Sequence, residues 1–491
     1  MHPNVPRPPH PGSPPGPGYP VAEVRNPGAR PNGMNGSASP AGRKSPSDPK
    51  PWDLFLIVAA ALLLVAQART HVFIPGASAL RPGLLLCVLG LGLWAIQKQK
   101  IRLPKRLDSP VMKAALFIPV WALVGAPFAL WQGGAARYVL QNLAPTIVTL
   151  LLVAAAIRNL EDVRRMVGVF ALGTALYAIM APQNPIGRAF RAGGYDANDS
   201  AMFLVSGIPP LVFFTLFGRK LWVRGAAGFG TLLALYAVVD SWSRGGFIAL
   251  VAVLGFMVVM LQGVKPILRA TVVAVVIAAS IPVASSDYWD RMQTIQELDD
   301  GYGQGIGGRR NIWSRAMEYT WANPITGVGI NNFSVAEGRH PDIQSRIQAG
   351  LGTKYSVAHS QWFQTLAELG IPGFIAFSAL FVLSLRELRK IQLKSRRSSP
   401  LMRPREVRVM AGILMASLIG LMVAGSFLSN AYSAMIWGPL GIITGFLKVM
   451  DASPRGNRLA SLRGRAGFPA HRIQMPTVGS HLRISTRLKR E

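Results

Sequence analysis

His359 is the residue of this sequence that is best placed for acid-base chemistry. It ends a long polar segment and stands directly ahead of an apolar run that begins at Ser360. An imidazole with a pKa near the ordinary ~6.5 accepts a proton from an attacking hydroxyl, or holds that hydroxyl by a hydrogen bond. A histidine that only anchors a helix at a membrane surface would occupy the same position, so both interpretations stand at this point.

Arginines form the second group of candidates, because several lie in short polar segments between apolar runs. A guanidinium stays charged at any working pH and presents a fork of donors that binds phosphate oxygens bidentately. Converging arginines therefore predict a diphosphate site. The alternative is that each arginine extends to ordinary lipid phosphates or pairs with a nearby aspartate. The candidates are Arg191, Arg244, Arg309 and Arg310.

The elements that must position these residues are membrane helices. Of the 491 residues, 50% are hydrophobic and only 15% are charged, and the mean hydropathy is +0.31. A soluble protein of this size needs a far more charged surface. The net charge of +30 would fit nucleic-acid binding in a soluble protein, but here the basic residues follow the membrane topology, so we expect no nucleic-acid partner.

Apolar runs long enough for the ~30 Å hydrocarbon core predict an all-α polytopic membrane protein with about twelve transmembrane helices. The predicted spans are 52–68, 79–97, 111–130, 138–157, 163–181, 201–217, 221–239, 245–262, 267–285, 360–385, 409–428 and 431–450.

The basic residues predict the orientation of these spans. With the N-terminus inside, 38 of the 52 Lys and Arg residues fall in inside segments and 13 outside, and Lys113 lies at a helix end. Because inside loops are enriched in Lys and Arg, we expect both termini in the cytoplasm. One large outside loop, 286–359, then lies between helices 9 and 10.

The predicted organisation has five parts. Residues 1–50 contain 14 prolines and are predicted to be a disordered cytoplasmic tail. Helices 1–9 occupy 51–285, the large loop 286–359, helices 10–12 residues 360–450, and a basic cytoplasmic tail 451–491. The single cysteine, Cys87, rules out an intrachain disulfide.

Four short motifs resemble the bacterial O-antigen ligase and O-antigen polymerase superfamily. His359-Ser360 precedes Gly370 and Gly373 at the spacing of that family's histidine signature. Upstream, residues 308–313 and 323–329 resemble its Gly-Arg…Trp…Pro…Gly-x-Gly run. Residues 243–246 resemble its Ser-Arg-Gly element, and residues 191–201 its Arg…Gly…Asn…Ala element, although Ala197 replaces the family's common proline. The matched motif positions are Asn198, Ser243, Trp313, Gly327, Gly329, Ser360, Gly370 and Gly373.

The resemblance implies an inner-membrane enzyme that transfers a glycan from an undecaprenyl diphosphate-linked donor to an acceptor hydroxyl at the periplasmic face. His359 would orient or deprotonate the acceptor hydroxyl. Arg191, Arg244 and Arg309 would bind the leaving diphosphate, with the choice between Arg309 and Arg310 left open. No metal and no cofactor is expected if arginines neutralise the diphosphate.

Other functions remain open from the sequence. The acceptor could be a glycan, a lipid or a protein, so the alternatives are a ligase, a polymerase and a protein O-oligosaccharyltransferase. A polysaccharide or lipid transporter of the flippase type would also have about twelve helices. Such transporters usually carry ionisable groups in mid-helix, and the predicted spans contain hardly any.

Overall fold

A computed structural model describes residues 51–96, 109–180, 195–280, 286–293, 308–350, 356–397, 399 and 402–451. Within these residues the chain forms helices and turns and no β-strand, so the predicted all-α class is confirmed for them. The predicted tail 1–50, the predicted tail 451–491 except Asp451, and the candidate Arg191 lie outside the described residues.

Seventeen α-helices occur in the described part of the chain. They are α1 Leu54–Ala68, α2 Pro82–Ile96, α3 Pro110–Gly125, α4 Gln132–Tyr138, α5 Ala144–Ala156, α6 Leu160–Met180, α7 Ala197–Phe217, α8 Leu221–Asp240, α9 Arg244–Met260, α10 Pro266–Ser280, α11 Ser286–Gln293, α12 Arg309–Ala322, α13 Phe333–Arg339, α14 Pro341–Gln348, α15 Gln361–Lys394, α16 Pro404–Gly425 and α17 Ala434–Asp451. A π-helical turn at Val139–Leu143 joins α4 to α5.

Many of these helices are suited to cross a membrane. Among the described residues, nine helical stretches have the necessary length and hydropathy, and three shorter apolar helices occur at other predicted spans. The chain is therefore a multi-pass membrane protein, while the count of twelve spans stays a prediction. The nine are Ala77–Ile96, Pro110–Phe128, Gln132–Ala156, Leu160–Met180, Ala197–Phe217, Leu221–Asp240, Gln361–Lys394, Pro404–Gly425 and Ala434–Asp451, and the shorter ones are Leu54–Ala68, Arg244–Met260 and Pro266–Val275.

Several helices extend beyond the apolar runs that predicted them. The sequence placed residues 195–200 in an outside segment, but α7 already begins at Ala197. Asp196 caps this helix by accepting from the backbone N–H of Asp199, whose carboxylate faces the Asp196 N–H in return. Such a capping box stabilises a polar first turn that hydropathy alone does not detect.

The two ends of the helical bundle differ in chemistry. At one end, Arg164 donates to Glu406 at 3.1 Å and to the carbonyl of Phe217 at 2.6 Å. At the same end, Lys448 donates to the carbonyl of Ala154 at 2.6 Å. These bonds join α6 to α7 and α16, and α17 to α5, at the end that carries the predicted inside loops. The motif residues lie at the opposite end.

The predicted large loop contains helical structure in its described parts. Helix α12 shares a small apolar core with the start of α15 that includes Ile312, Ala316 and Phe333. Arg315 donates to both carboxylate oxygens of Glu337, at 2.7 and 2.6 Å, and both side chains are at least 96% buried. This bidentate pair joins α12 to α13, so the loop presents its side chains from a packed scaffold.

Candidate active site

His359 lies in the turn immediately before α15, next to Ser360 at the N-cap position of that helix. Its side chain is half-buried and its φ angle is 47°, in the left-handed region. The turn is held from α12, because the indole of Trp313 donates to the carbonyl of Ala358 at 3.0 Å. The Trp313 ring also stacks on Phe363 with centroids 5.1 Å apart. Two motifs that are 45 residues apart in sequence therefore form one unit.

Arg309 is the first residue of α12 and lies one turn ahead of Trp313 on the same face of the helix. Its guanidinium carbon is 5.8 Å from the centroid of the Phe427 ring. The neighbouring Arg310 is exposed. This difference favours Arg309 over Arg310 as the arginine that faces the interior of the site.

The same Phe427 ring packs against the start of α9. A Cβ built on Gly245 would lie 3.0 Å from Phe427 Cδ2, so the ring covers the backbone directly after Arg244. Arg244 is the first residue of α9, and Ser243 caps the helix by accepting from the N–H of Gly246 at 3.0 Å. The starts of two helices, each beginning with an arginine, thus border one aromatic ring.

Asn198 belongs to the same constellation. The hydroxyl of Ser243 donates to the side-chain oxygen of Asn198 at 2.6 Å. Close packing accompanies this bond, because a Cβ on Gly246 would lie only 2.5 Å from the Cβ of Ala201. The structure therefore brings the Ser-Arg-Gly element and the Asn…Ala element together at the ends of α9 and α7.

The motif glycines shape the backbone beneath His359. Helix α15 is interrupted at Gly370, where φ is 67° and ψ is −171°. The carbonyls of Ala367 and Glu368, released by this break, accept from the N–H groups of Val328 and Gly329 at 2.8 and 3.1 Å. A Cβ on Gly370 would lie 2.3 Å from the carbonyl oxygen of Ile325. The close approach of this backbone leaves no room for a side chain at position 370, which explains why the motif has glycine there.

Gly327, Gly329 and Gly373 have equally little room. A Cβ on Gly327 would lie 2.5 Å from the Ala367 carbonyl oxygen, and one on Gly329 would lie 2.2 Å from the Cβ of Ala129. Gly327 and Gly329 also have φ angles of 67° and 96°, which glycine adopts without strain. These residues position the site and carry no chemistry of their own.

The segment between α16 and α17, residues 426–433, is a part of the site that the sequence did not indicate. We call it the central segment. Its Ser426 accepts from the indole of Trp362 at 2.9 Å, and its Asn430 donates to Asp199 at 2.5 Å. The backbone N–H of Ala431 donates to the side chain of Gln364 at 3.3 Å. With Phe427, these bonds join the central segment to every described motif helix.

Two buried polar side chains lie close together here, Glu368 of α15 and Tyr432 of the central segment. The carboxyl of Glu368 accepts from the N–H of Phe333 at 3.2 Å and faces the hydroxyl of Tyr432. The Tyr432 ring packs edge-on against Tyr138, with centroids 6.0 Å apart. Burial and the nearby Glu368 carboxyl raise the pKa of Tyr432 well above its ordinary value, so its hydroxyl stays protonated.

Strained backbone is concentrated at this end of the bundle. Residues without a glycine's freedom adopt left-handed φ only where the surrounding structure requires it, and such positions cluster at functional sites. In the described ranges the non-glycine residues with positive φ are Arg69, Arg81, Trp242, Asn331 and His359. Three of them, Trp242, Asn331 and His359, lie in or beside the matched motifs.

Comparison with known proteins agrees with this arrangement. The family model described as O-antigen ligase matches residues 229–378. The matched range holds Ser243, Arg244, Arg309 and the signature from His359 to Gly373, and it leaves Asn198 and the central segment outside. A search of curated proteins finds no match to the chain.

Proposed function

Because the chain carries the O-antigen ligase domain of the O-antigen ligase and O-antigen polymerase superfamily, we propose that it transfers a glycan from an undecaprenyl diphosphate-linked donor to an acceptor hydroxyl at the periplasmic face of the inner membrane. The observation that carries this proposal is the meeting of the Arg309 and Arg244 helix starts at Phe427, on the side of α12 that also holds the His359 turn.

The two arginines supply the electrostatic part of the reaction. As the bond between the anomeric carbon and the diphosphate oxygen breaks, the leaving diphosphate takes the electron pair and gains negative charge. Cations that are already in place stabilise this transition state more than the ground state. The N-terminal ends of α9 and α12 add the positive ends of two helix dipoles in the same region. Arg191 is proposed as a third ligand, and no metal is required.

His359 acts on the other reactant. Its imidazole accepts a hydrogen bond from the acceptor hydroxyl and then takes the proton as the hydroxyl oxygen bonds to the anomeric carbon. Attack opposite the departing diphosphate inverts the configuration of that carbon. Trp313, through its bond to Ala358, fixes the backbone from which the imidazole projects.

A reconstituted transfer assay tests this proposal. The full-length protein in proteoliposomes receives an undecaprenyl diphosphate-linked oligosaccharide and an acceptor polysaccharide or glycolipid, and the release of undecaprenyl diphosphate is followed. We expect His359→Ala to abolish donor turnover. His340→Asn serves as the matched control, because His340 lies in the same loop, pairs with Glu318 at 3.3 Å and is outside the site. Wild-type turnover by His359→Ala would refute the proposed role.

A further inference from the structure

A second group of cationic side chains lies at the motif end of the bundle, between the first two apolar helices. Arg69, His71 and Arg81 line a cavity of about 220 Å³ whose other walls include Val65 and Leu84. None of these three side chains belongs to the matched motifs. An opening of this size is smaller than the roughly 300–1,000 Å³ of sites that enclose whole drug-like ligands, so it suits a single head group.

The backbone holds the two arginines in unusual geometry. Arg69 follows α1 with φ 47°, and Arg81 precedes α2 with φ 46°. Left-handed backbone is unfavourable for a residue that has a side chain. The turns that connect α1 to α2 therefore place both arginines at the cavity at the expense of backbone strain.

Two of the three basic side chains at the cavity, those of His71 and Arg81, have polar groups without a partner among the described residues. For His71 this is the buried Nδ1 atom. In the part of the chain that the structure describes, no ion pair or hydrogen bond of the Arg81 guanidinium occurs. The start of α2, at Pro82 and Gly83, also lines the cavity, and the first N–H groups of a helix favour an anion.

The charged side chains that line the cavity are all basic. Burial and the adjacent Arg69 charge lower the pKa of His71, and an anion between the two groups would reverse that effect. No carboxylate is among the lining residues. From the cavity, its three basic groups and the partnerless Nδ1 of His71, we propose that Arg69, His71 and Arg81 form a binding site for a phosphate group, distinct from the site at His359.

The site is joined to the candidate active site through Arg69. The guanidinium carbon of Arg69 lies 4.0 Å from the centroid of the Tyr195 ring, and the Tyr195 hydroxyl donates to the carbonyl of Gln67 at 2.9 Å. Tyr195 directly precedes the capping box that begins α7. A phosphate held by Arg69 is therefore connected through Tyr195 to the first turn of α7, which carries Asn198.

The phosphate can come from the head group of a membrane lipid or from free phosphate, and binding measurements separate the two. The full-length protein in detergent is titrated with dioleoyl phosphatidylglycerol, with inorganic phosphate, and with dioleoylglycerol as a lipid that lacks phosphate. Binding is read from the ligand-induced rise of the unfolding temperature and from bound lipid in native mass spectrometry.

Three variants make the measurement specific. We expect Arg81→Gln combined with His71→Asn to weaken phosphatidylglycerol binding about tenfold or more, since charge-assisted hydrogen bonds are lost. Arg81→Lys should weaken it less. Arg137→Gln is the control, because Arg137 is an exposed arginine at the same end that lines no part of this cavity, and it should bind as the wild type does.

The outcomes are separable. Loss of binding in the lipid arm alone identifies a lipid head group, and a parallel loss in the inorganic phosphate arm shows that phosphate alone suffices. Equal binding by the double variant and by the wild type in both arms overturns the proposal, as does equal binding of dioleoylglycerol and phosphatidylglycerol. The unfolding temperature of each variant without ligand reports its folding, and Arg81→Lys repeats the test if the double variant does not fold.

Discussion

The hydroxyl of Ser243 donates to the side-chain oxygen of Asn198 at 2.6 Å, across 45 positions of the sequence. The same hydroxyl accepts from the N–H of Gly246 and so caps α9. One side chain therefore sets the start of the helix that begins with Arg244 and joins that start to α7.

This bond predicts coupling between the two residues. We expect Ser243→Ala and Asn198→Ala each to destabilise the protein by about 1–2 kcal/mol, because both lose this half-buried hydrogen bond and Ser243→Ala also loses the cap. The double variant should lose less than the sum of the two, with a coupling energy above about 0.5 kcal/mol. Denaturant unfolding in detergent measures all four states. Strict additivity would show that the bond contributes nothing.

Arg309 and Arg310 form a matched pair for testing the phosphate role. We expect Arg309→Lys to lower glycan transfer by roughly 10- to 1,000-fold, because an ammonium retains charge but cannot make the bidentate contact. Arg310→Lys should remain within a factor of about two, since Arg310 is exposed. Initial rates with a lipid-linked donor measure both. Equal rates for the two variants would favour the alternative interpretation, in which Arg309 contacts ordinary lipid phosphates.

Gly370 tests the packing of the broken helix. A methyl group added at this position would combine left-handed φ with a contact of 2.3 Å to the Ile325 carbonyl oxygen, and we expect Gly370→Ala to cost more than about 2 kcal/mol. Gly350→Ala is the control, since Gly350 has φ 72° but nothing within 4 Å. The difference between their unfolding free energies isolates the steric term. Similar values for the two would contradict the close approach.

The buried ion pair of Arg315 and Glu337 is expected to stabilise the large loop. Glu337→Gln should destabilise the protein by about 3–5 kcal/mol, because the Arg315 charge stays buried without its carboxylate. Glu318→Gln changes a carboxylate whose side chain is 58% exposed and should stay within about 0.5 kcal/mol of the wild type. Limited proteolysis between α12 and α14, together with thermal unfolding, detects the difference.

Cysteine labelling tests the predicted orientation. In a Cys87→Ala background, a cysteine at Gln348 should react with an impermeant thiol reagent added outside intact cells, and one at Arg403 should not. Both positions are exposed, and they lie at opposite ends of α15 and its neighbours. Labelling of position 403 from outside, with position 348 protected, would place His359 in the cytoplasm and remove the proposed function.

Hydropathy predicted much of this architecture, because long apolar runs identify membrane helices. The orientation that the basic residues indicate stays a prediction. The family resemblance was confirmed by the match to residues 229–378. The central segment was not predicted, since residues 426–433 overlap the ends of the predicted spans 409–428 and 431–450 and contain no charge. Its importance comes from contacts of Phe427 and Asn430 with residues about 120–230 positions away. Hydropathy does not encode such contacts.

The sequence also could not indicate the break in α15. Gly370 was expected as a motif position, but a glycine in an apolar run is compatible with a continuous helix. What decides the local structure is the Pro324–Gly329 turn, whose N–H groups replace the helical partners of the Ala367 and Glu368 carbonyls. That exchange depends on tertiary contacts between distant segments.

The break at Gly370 also bears on how the position of His359 depends on bilayer thickness. The portion of α15 before the break, Gln361–Leu369, is hydrogen-bonded to the large loop and the central segment, and only the portion after it runs on toward the far end of the bundle. A lipid with longer or shorter acyl chains changes the tilt of the second portion. We expect the glycine to uncouple the first portion from that tilt, so that the His359 turn keeps its geometry in membranes of different composition.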